Sequence, residues 1–217
     1  MESDWFVEIF WLDEVDSTQR YLLDGLKDQT LKAPVCIGAT LQTSGRGSRG
    51  NQWVGEEGNF FISFALKRED LPHALKLESS SIYFAYILKE LLAKMGSNVW
   101  LKWPNDFYLG EQKVGGLITN LAGDCLVCGV GLNLRRAPEN FAVLDITTEA
   151  KALCDAYLEK LKTFPQWKQI FSKFALEFER SKAFSTHSNN LMIELKDAVL
   201  CEDGSLECNG QRMYSLR

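Results

Sequence analysis

The chain has 217 residues, 46% of them hydrophobic, which suffices for one sizeable core with a small appendage and not for several domains. Thirteen Phe, six Trp and six Tyr exclude a disordered chain. A net charge of −5, from 24 Lys and Arg against 29 Asp and Glu, argues against reliance on duplex phosphates, so no nucleic-acid partner is expected.

Met1 to Phe10 carries Glu2, Asp4 and Glu8 in place of a basic stretch, and no long apolar run follows. Neither a signal peptide nor a membrane span is expected, which makes the cytoplasm the default location. Phe6 to Leu12 is aromatic and β-rich and predicts a first strand. Asp16-Ser17-Thr18 is a helix-start signal ahead of Tyr21, Leu22, Leu23 and Leu26. Pro34 opens a second strand, Val35 to Leu41, followed by a loop dense in Gly and Arg from Thr43 to Gln52. Phe60 to Leu66 predicts a third strand.

Leu77 to Met95 has helical spacing, with Phe84, Leu88, Leu91, Leu92 and Met95 on one side and Gly96 as the stop. Val99 to Lys102, Val114 to Asn120 and Leu126 to Leu134 predict three more strands. Two helices follow, Glu149 to Lys162 and a second with Pro165 at its first position, where a missing N–H costs nothing. After Arg180 the pattern changes to short strands at Leu191–Leu195, Ala198–Cys201, Ser205–Glu207 and Arg212–Leu216. Asp203-Gly204 and Asn209-Gly210 lie between them as hairpin turns. These predict an α+β fold, a mixed α/β domain over residues 1–180 with a small β-barrel over 181–217.

The six cysteines do not form a metal or disulfide framework. Cys125 and Cys128 fall in one strand, where residues three apart face opposite ways. A two-residue turn at Asp203-Gly204 would set Cys201 opposite Leu206 and away from Cys208. Reduced structural thiols are expected, and no metal ligand is assigned. His73 and His187 sit in no motif, so neither suggests a Ser–His–Asp or metal-histidine mechanism.

Gly45-Arg46-Gly47-Ser48-Arg49-Gly50 satisfies G-x-G-x-x-G literally, but Asn51-Gln52-Trp53 and a strand follow where a dinucleotide site needs a helix. Glycines that expose backbone N–H groups, with arginines between them, suit an anion. Taken alone, the stretch fits an anion-binding loop and a solvated surface loop equally well. Lys102-Trp103-Pro104-Asn105-Asp106 then places a lysine at a strand end, a rigid turn, an amide and a carboxylate. Lys113-Val114-Gly115-Gly116-Leu117-Ile118 sends a second lysine into a new strand. Lysine is a compact positive charge for a carboxylate or α-phosphate, and Asp106 is placed to orient a magnesium ion or take a proton. A type I turn explains the Pro and Asn, but not a lysine at each end.

Asp16-Ser17-Thr18-Gln19, the glycine–arginine loop, the Lys102–Asp106 turn, the Lys113–Ile118 strand and Gly129-Val130-Gly131-Leu132-Asn133 together resemble the ordered motifs of biotin–protein ligases. The similarity runs along nearly the whole chain. It implies the class II synthetase-like fold of biotin and lipoate ligases, a mixed central sheet flanked by helices with an SH3-like C-terminal barrel. The first motif arrives at Asp16, so a short form without an N-terminal DNA-binding domain is expected. The implied reaction activates biotin with ATP and Mg²⁺ and transfers it from biotinyl-5'-AMP to a lysine. The implied partner is the biotin carboxyl carrier domain of a biotin-dependent carboxylase.

By the same resemblance, Ser17, Thr18 and Gln42 meet the ureido head, with Gln19, Gly45, Gly47, Ser48, Gly116 and Gly129 in the same pocket. Trp53 and Ile118 line the apolar tail. Lys113, Arg46 and Asp106 are the catalytic group, the first two at the carboxylate and α-phosphate. Arg46, Arg49, Lys102, Asn105, Asp106, Asn133 and Arg217 are expected near the nucleotide. Gln19 stands where the family usually has Asn, and Ser48 where it usually has Arg. A lipoate or octanoate ligase or transferase of the same fold, and a non-catalytic biotin-binding protein, are the alternatives; the retained arginine loop and Lys113 argue against each.

Overall fold

Alternation along three central strands decides which helices cover which face of the sheet. The computed structural model describes residues 7–47, 52–188 and 191–214. Its elements run β1 (Glu8–Val15), α1 (Thr18–Lys27), β2 (Val35–Arg46), β3 (Gln52–Gly55), β4 (Phe60–Lys67), α2 (Ser80–Lys94), β5 (Trp100–Lys102), β6 (Asp106–Leu109), β7 (Gln112–Ala122) and β8 (Cys125–Leu132). Then come α3 (Ala150–Leu161), α4 (Trp167–Phe178), β9 (Ser185–Ser188), β10 (Leu191–Glu194), β11 (Val199–Leu200), β12 (Leu206–Cys208) and β13 (Gln211–Met213).

The main sheet has the order β1-β2-β4-β8-β7-β6-β5, with β3 added to the far end of β2. β1 pairs with β2 in parallel and every other pair is antiparallel, so the sheet is mixed. Strands β4 and β8 are buried on both faces, which explains their almost uninterrupted apolar text. Cys36, Phe60, Ile62, Phe64, Leu126, Cys128, Val130 and Leu132 point to the face covered by α2, α3 and α4, in one large cluster. Val35, Ile37, Ala65 and Val127 point the other way and meet Leu22 of α1 in a small one. At about 1.5–3 kcal/mol for each large side chain fully buried, the three-helix face dominates the stability. The α1 face therefore tolerates a gap, and the cleft described below opens there.

Several boundaries differ from the sequence expectation. β2 does not end at Leu41; it continues to Arg46 because a short partner, β3, folds back on it with Gly45 opposite Trp53 and Arg46 opposite Gln52. The expected loop from Thr43 is thus half strand. β6 and β9 carry no alternation long enough to announce them; β6 is held between β5 and β7 and β9 by β10. Pro165 precedes the helix, whose N-cap is Gln166 in a reciprocal capping box with Gln169. Met95 is not on the buried face of α2: it is the C-cap and 40% exposed, while Phe84, Leu88 and Leu92 are fully buried. Phe6 and residues 215–217, expected in strands, lie outside the described residues.

The strands after residue 180 are antiparallel throughout, in a two-stranded and a three-stranded sheet, consistent with an SH3-like unit. Leu195, Ala198, Leu206, Cys208 and Met213 join the large cluster, so the core runs from the main sheet into this segment without a break. The Asp203-Gly204 turn is the contact point. Trp103 Nε1 donates to Gly204 O at 2.9 Å and Trp167 Nε1 to Glu202 O at 3.0 Å, while Ser79 Oγ donates to Asp203 O. Leu200 pairs with Leu206, which puts Cys201 opposite Ser205 and not Leu206: the loop is one residue longer than a two-residue turn. All six cysteines are free thiols. No helix among the described residues is long and apolar enough to cross a membrane.

Candidate active site

Gly129 and Gly131 are two apart on β8, so both face the α1 side and leave a strip of bare backbone there. Neighbouring strands carry the pattern outward. Ser63 and Ile118 flank Gly129, Gly116 sits beside Gly131, and Asp106 beside Gly116. The result is an open cleft between α1, the β2–β3 hairpin and β6–β7. A methyl group on Gly131 would lie 2.8 Å from Trp53 Nε1, so the Trp53 ring roofs the floor at that point.

One end of the cleft is uncharged and polar. Ser17 caps α1, its hydroxyl accepting from Arg20 N at 3.4 Å, so Thr18 and Gln19 enter the first turn facing the sheet. Gln42 Oε1 accepts from Thr18 N at 2.9 Å and Thr18 Oγ1 at 3.0 Å, and Thr18 Oγ1 meets Ser63 Oγ at 2.9 Å. Ser17, Thr18, Gln19, Gln42 and Ser63 are all buried. Polar side chains gathered in the interior need partners, and an uncharged ligand rich in N–H and C=O groups supplies them.

The other end is charged. Lys113 Nζ lies 2.7 Å from Asp106 Oδ1 and 5.9 Å from the centre of the Trp53 ring; Lys102 Nζ lies 4.0 Å from Asp106 Oδ2. The turn between β5 and β6 is tied to β7 by Leu117 N donating to Asn105 O at 3.0 Å and by Asn105 Nδ2 donating to Leu117 O. That tie fixes Asp106, and Asp106 fixes Lys113. Arg46 and Gly47, at the end of β2, close the same mouth. An anionic group is the natural occupant beside these cations.

Ser17, Thr18, Gln19, Gln42, Arg46, Gly47, Trp53, Asn105, Asp106, Lys113, Gly116, Ile118 and Gly129, all expected at the site, line this one cleft. Gly45 is one step behind the wall, opposite Trp53, where a side chain would meet Gln42 Nε2 at 2.9 Å. Asn133 is fully buried just past β8, its Nδ2 donating to Ala142 O at 3.2 Å. Ser48, Arg49 and Arg217 lie outside the described residues. The sequence reading missed Ser63, Leu117, Val130 and Gly131 in the lining. Ser63 had one signal: a lone hydroxyl inside the apolar run Phe60 to Leu66. Among the described residues no three His, Cys, Asp or Glu side chains gather as a metal cage, and Asp106 is already spanned by two lysines. These residues do not fit a resident magnesium ion.

A family model described as the biotin/lipoate A/B protein ligase family matches residues 11–133. The bifunctional ligase/repressor BirA of Escherichia coli is 35% identical over 138 residues, 59% of this chain and 42% of that protein, so the match spans less than half of that relative. The crystal structure of the biotin acetyl coenzyme A carboxylase synthetase of Helicobacter pylori with bound biotinylated ATP superposes with a TM-score of 0.92 at 41% identity. That match covers 96% of this chain and 100% of the other. Biotin protein ligase from Aquifex aeolicus in complex with biotin and ATP superposes with a TM-score of 0.73 at 25% identity, covering 98% and 97%.

Proposed function

The chain belongs to the biotin/lipoate A/B protein ligase family, and from that premise we propose that it activates biotin with ATP and attaches it to a lysine of a biotin carboxyl carrier domain. The carrying observation is the polarity of the cleft. A neutral hydrogen-bonding end at Thr18, Gln42 and Ser63 and a cationic mouth at Lys113 are joined by the bare strip Gly129 to Gly131. Biotin has this sequence of groups: an uncharged cyclic urea, an aliphatic tail and a carboxylate.

The proposed reaction has two steps. A biotin carboxylate oxygen attacks the α-phosphorus of ATP; the bond to the bridging oxygen breaks and pyrophosphate leaves, giving biotinyl-5'-AMP. The amine of the acceptor lysine then attacks the adenylate carbonyl, AMP departs and the amine loses a proton. Both steps gather negative charge at the mouth of the cleft. Lys113, held by Asp106, and Arg46 are preorganised cations at that point. In this reading Asp106 positions Lys113 and Lys102, and magnesium arrives as the counterion of the triphosphate. Trp53 roofs the chain of the substrate and excludes water from the mixed anhydride. Residues 1–180 would then carry both activation and transfer, with 181–217 supporting the Trp103 turn from behind.

The test is pyrophosphate release from labelled ATP with biotin or lipoate, followed by label transfer to a carrier-domain lysine. Biotin-dependent release and transfer are expected. Release with lipoate alone would assign the chain to the other branch of the family, and biotin binding without release would leave a binding protein.

A further inference from the structure

Strands β4 and β8 pair as far as Phe60 and Leu132. Just before that point stands Asn59, 2% exposed, whose side chain reaches across to the chain beyond β8. Asn59 Oδ1 accepts from Leu134 N at 2.9 Å, Arg135 N at 2.9 Å and Arg136 N at 3.2 Å, and Nδ2 donates to Arg136 O at 2.8 Å. Successive main-chain N–H groups converging on one oxygen make the kind of concavity that holds anions elsewhere. Here a neutral amide of the same chain fills it.

The segment anchored in this way, residues 133–145, crosses to the charged end of the cleft. β8 pairs with β7 no further than Leu132 with Gly115, so on that side Val114 and Lys113 have this strap in place of a strand. Asn133 N donates to Val114 O at 2.9 Å and Ala142 N to Lys113 O at 2.9 Å, and Leu144 N closes the strap on Asn133 O at 2.8 Å. Phe141, bridged to Lys113, sets its ring edge-on to Trp53 with centroids 6.1 Å apart. Asp145 fixes the returning end by accepting from Ser97 Oγ and Asn98 N. Asn59 fixes the departing end, and it is not in the cleft lining.

We propose that Asn59 is a positioning residue for the adenylation chemistry. Through the strap it sets the main chain of Lys113 and the seat of the Trp53 ring, and so keeps water off the mixed anhydride until the acceptor lysine arrives. This rests on reading the cleft as the site of biotin activation. With the strap displaced, water attacks the adenylate carbonyl and the bond to the AMP oxygen breaks. Free biotin, AMP and a proton are released, so ATP is consumed without transfer.

The experiment follows pyrophosphate release and carrier-domain biotinylation side by side, on the full chain with biotin and Mg-ATP. In the wild type the two rates are expected to match. In Asn59→Ala the ratio of release to transfer is expected to rise by about ten-fold or more, the scale on which a small displacement of a positioned group acts. Asn59→Asp, which keeps the acceptor for the three N–H groups, is expected to bring the ratio back toward the wild type. Phe141→Ala leaves the anchor intact but removes the contact with Trp53, and is expected to raise the ratio as well. A merely structural loss would lower release and transfer in proportion, and that result in Asn59→Ala would overturn the inference. So would an Asn59→Asp ratio no nearer the wild type, or a Phe141→Ala ratio equal to it. Absence of biotin-dependent release from the wild type would instead overturn the function proposed above. Should Asn59→Ala not fold, Asn59→Ser, whose shorter side chain reaches fewer of the N–H groups, takes its place under the same criteria.

Discussion

At the scale of single residues, the site depends on where a side chain is absent as much as on where one is present. Lys113 stands beside Asp106 at 2.7 Å because Gly116, opposite Asp106 in the sheet, leaves room for both. Truncation in Lys113→Ala is expected to abolish biotinyl-adenylate formation, a loss of about 2–4 kcal/mol in transition-state stabilisation. The thermal midpoint should hold, because Asp106 keeps Lys102 as a neighbour. Pyrophosphate release within a few-fold of wild type would place the role elsewhere. Gly129→Ala acts oppositely, by adding an atom where Gln19 and Ser63 converge. Biotin affinity is expected to fall by about ten-fold or more, since overpacking a close-packed site costs about 1–3 kcal/mol. Calorimetry checks this directly, and unchanged affinity would mean that the head group does not reach Gly129.

At the scale of elements, the Asp203-Gly204 turn joins the C-terminal strands to the segment before α2 and to α4. Burial works against ionisation of Asp203, but hydrogen bonds from Ser205, Lys76 and Arg212 outweigh it and hold the carboxyl well below the usual carboxylate range. With the folded value depressed, this contribution to stability is complete above the unfolded carboxyl value of about 3.9 and is lost as pH falls below it toward the folded value. Asp203→Asn is therefore expected to lower the unfolding free energy at pH 7, measured by urea titration, by about 1.5–3 kcal/mol, as for hydrogen bonds to a charged group. The difference from wild type should shrink in acid. A difference that stays constant from pH 7 to pH 3 would show that the carboxylate charge contributes nothing to the clamp. The same turn accepts from Trp103, one residue before the Pro104-Asn105-Asp106 corner of the cleft, so the clamp also supports the site from behind.

At the scale of the whole molecule, the two faces of the sheet divide the work. Three helices build the stable core on one side, and a single short helix on the other leaves the cleft open. A ligand that fills the cleft adds contacts to the thinner side, so biotin with Mg-ATP is expected to raise the thermal midpoint. Saturation at about 100 times the dissociation constant corresponds to about 2.7 kcal/mol. Differential scanning calorimetry measures it, and no shift at saturating biotin would mean that the folded chain does not bind biotin. The net charge of −5 leads to a further expectation, the absence of sequence-selective duplex binding by residues 1–217. A salt-sensitive, sequence-dependent mobility shift would contradict it.

What the sequence determined by itself was local. The β-rich apolar runs Val35–Leu41 and Phe60–Leu66, the Ser17 cap and the Lys102–Asp106 turn are written in short-range patterns, and each appears in the structure close to where it was read. So were the chemically distinctive side chains Lys113, Arg46 and Thr18, because they sit in compact motifs. The tertiary structure decided what depends on distant partners. β3 and β6 are strands only because β2, β5 and β7 offer them edges. Ser63 belongs to the site because strand pairing sets it beside Gly129, 66 positions away by subtraction of their numbers. Gln19 had only its identity in the sequence. Its orientation comes from Asn120 and Val127, more than 100 positions on, and no periodicity in the chain encodes a contact between one helix turn and two strands packed beneath it.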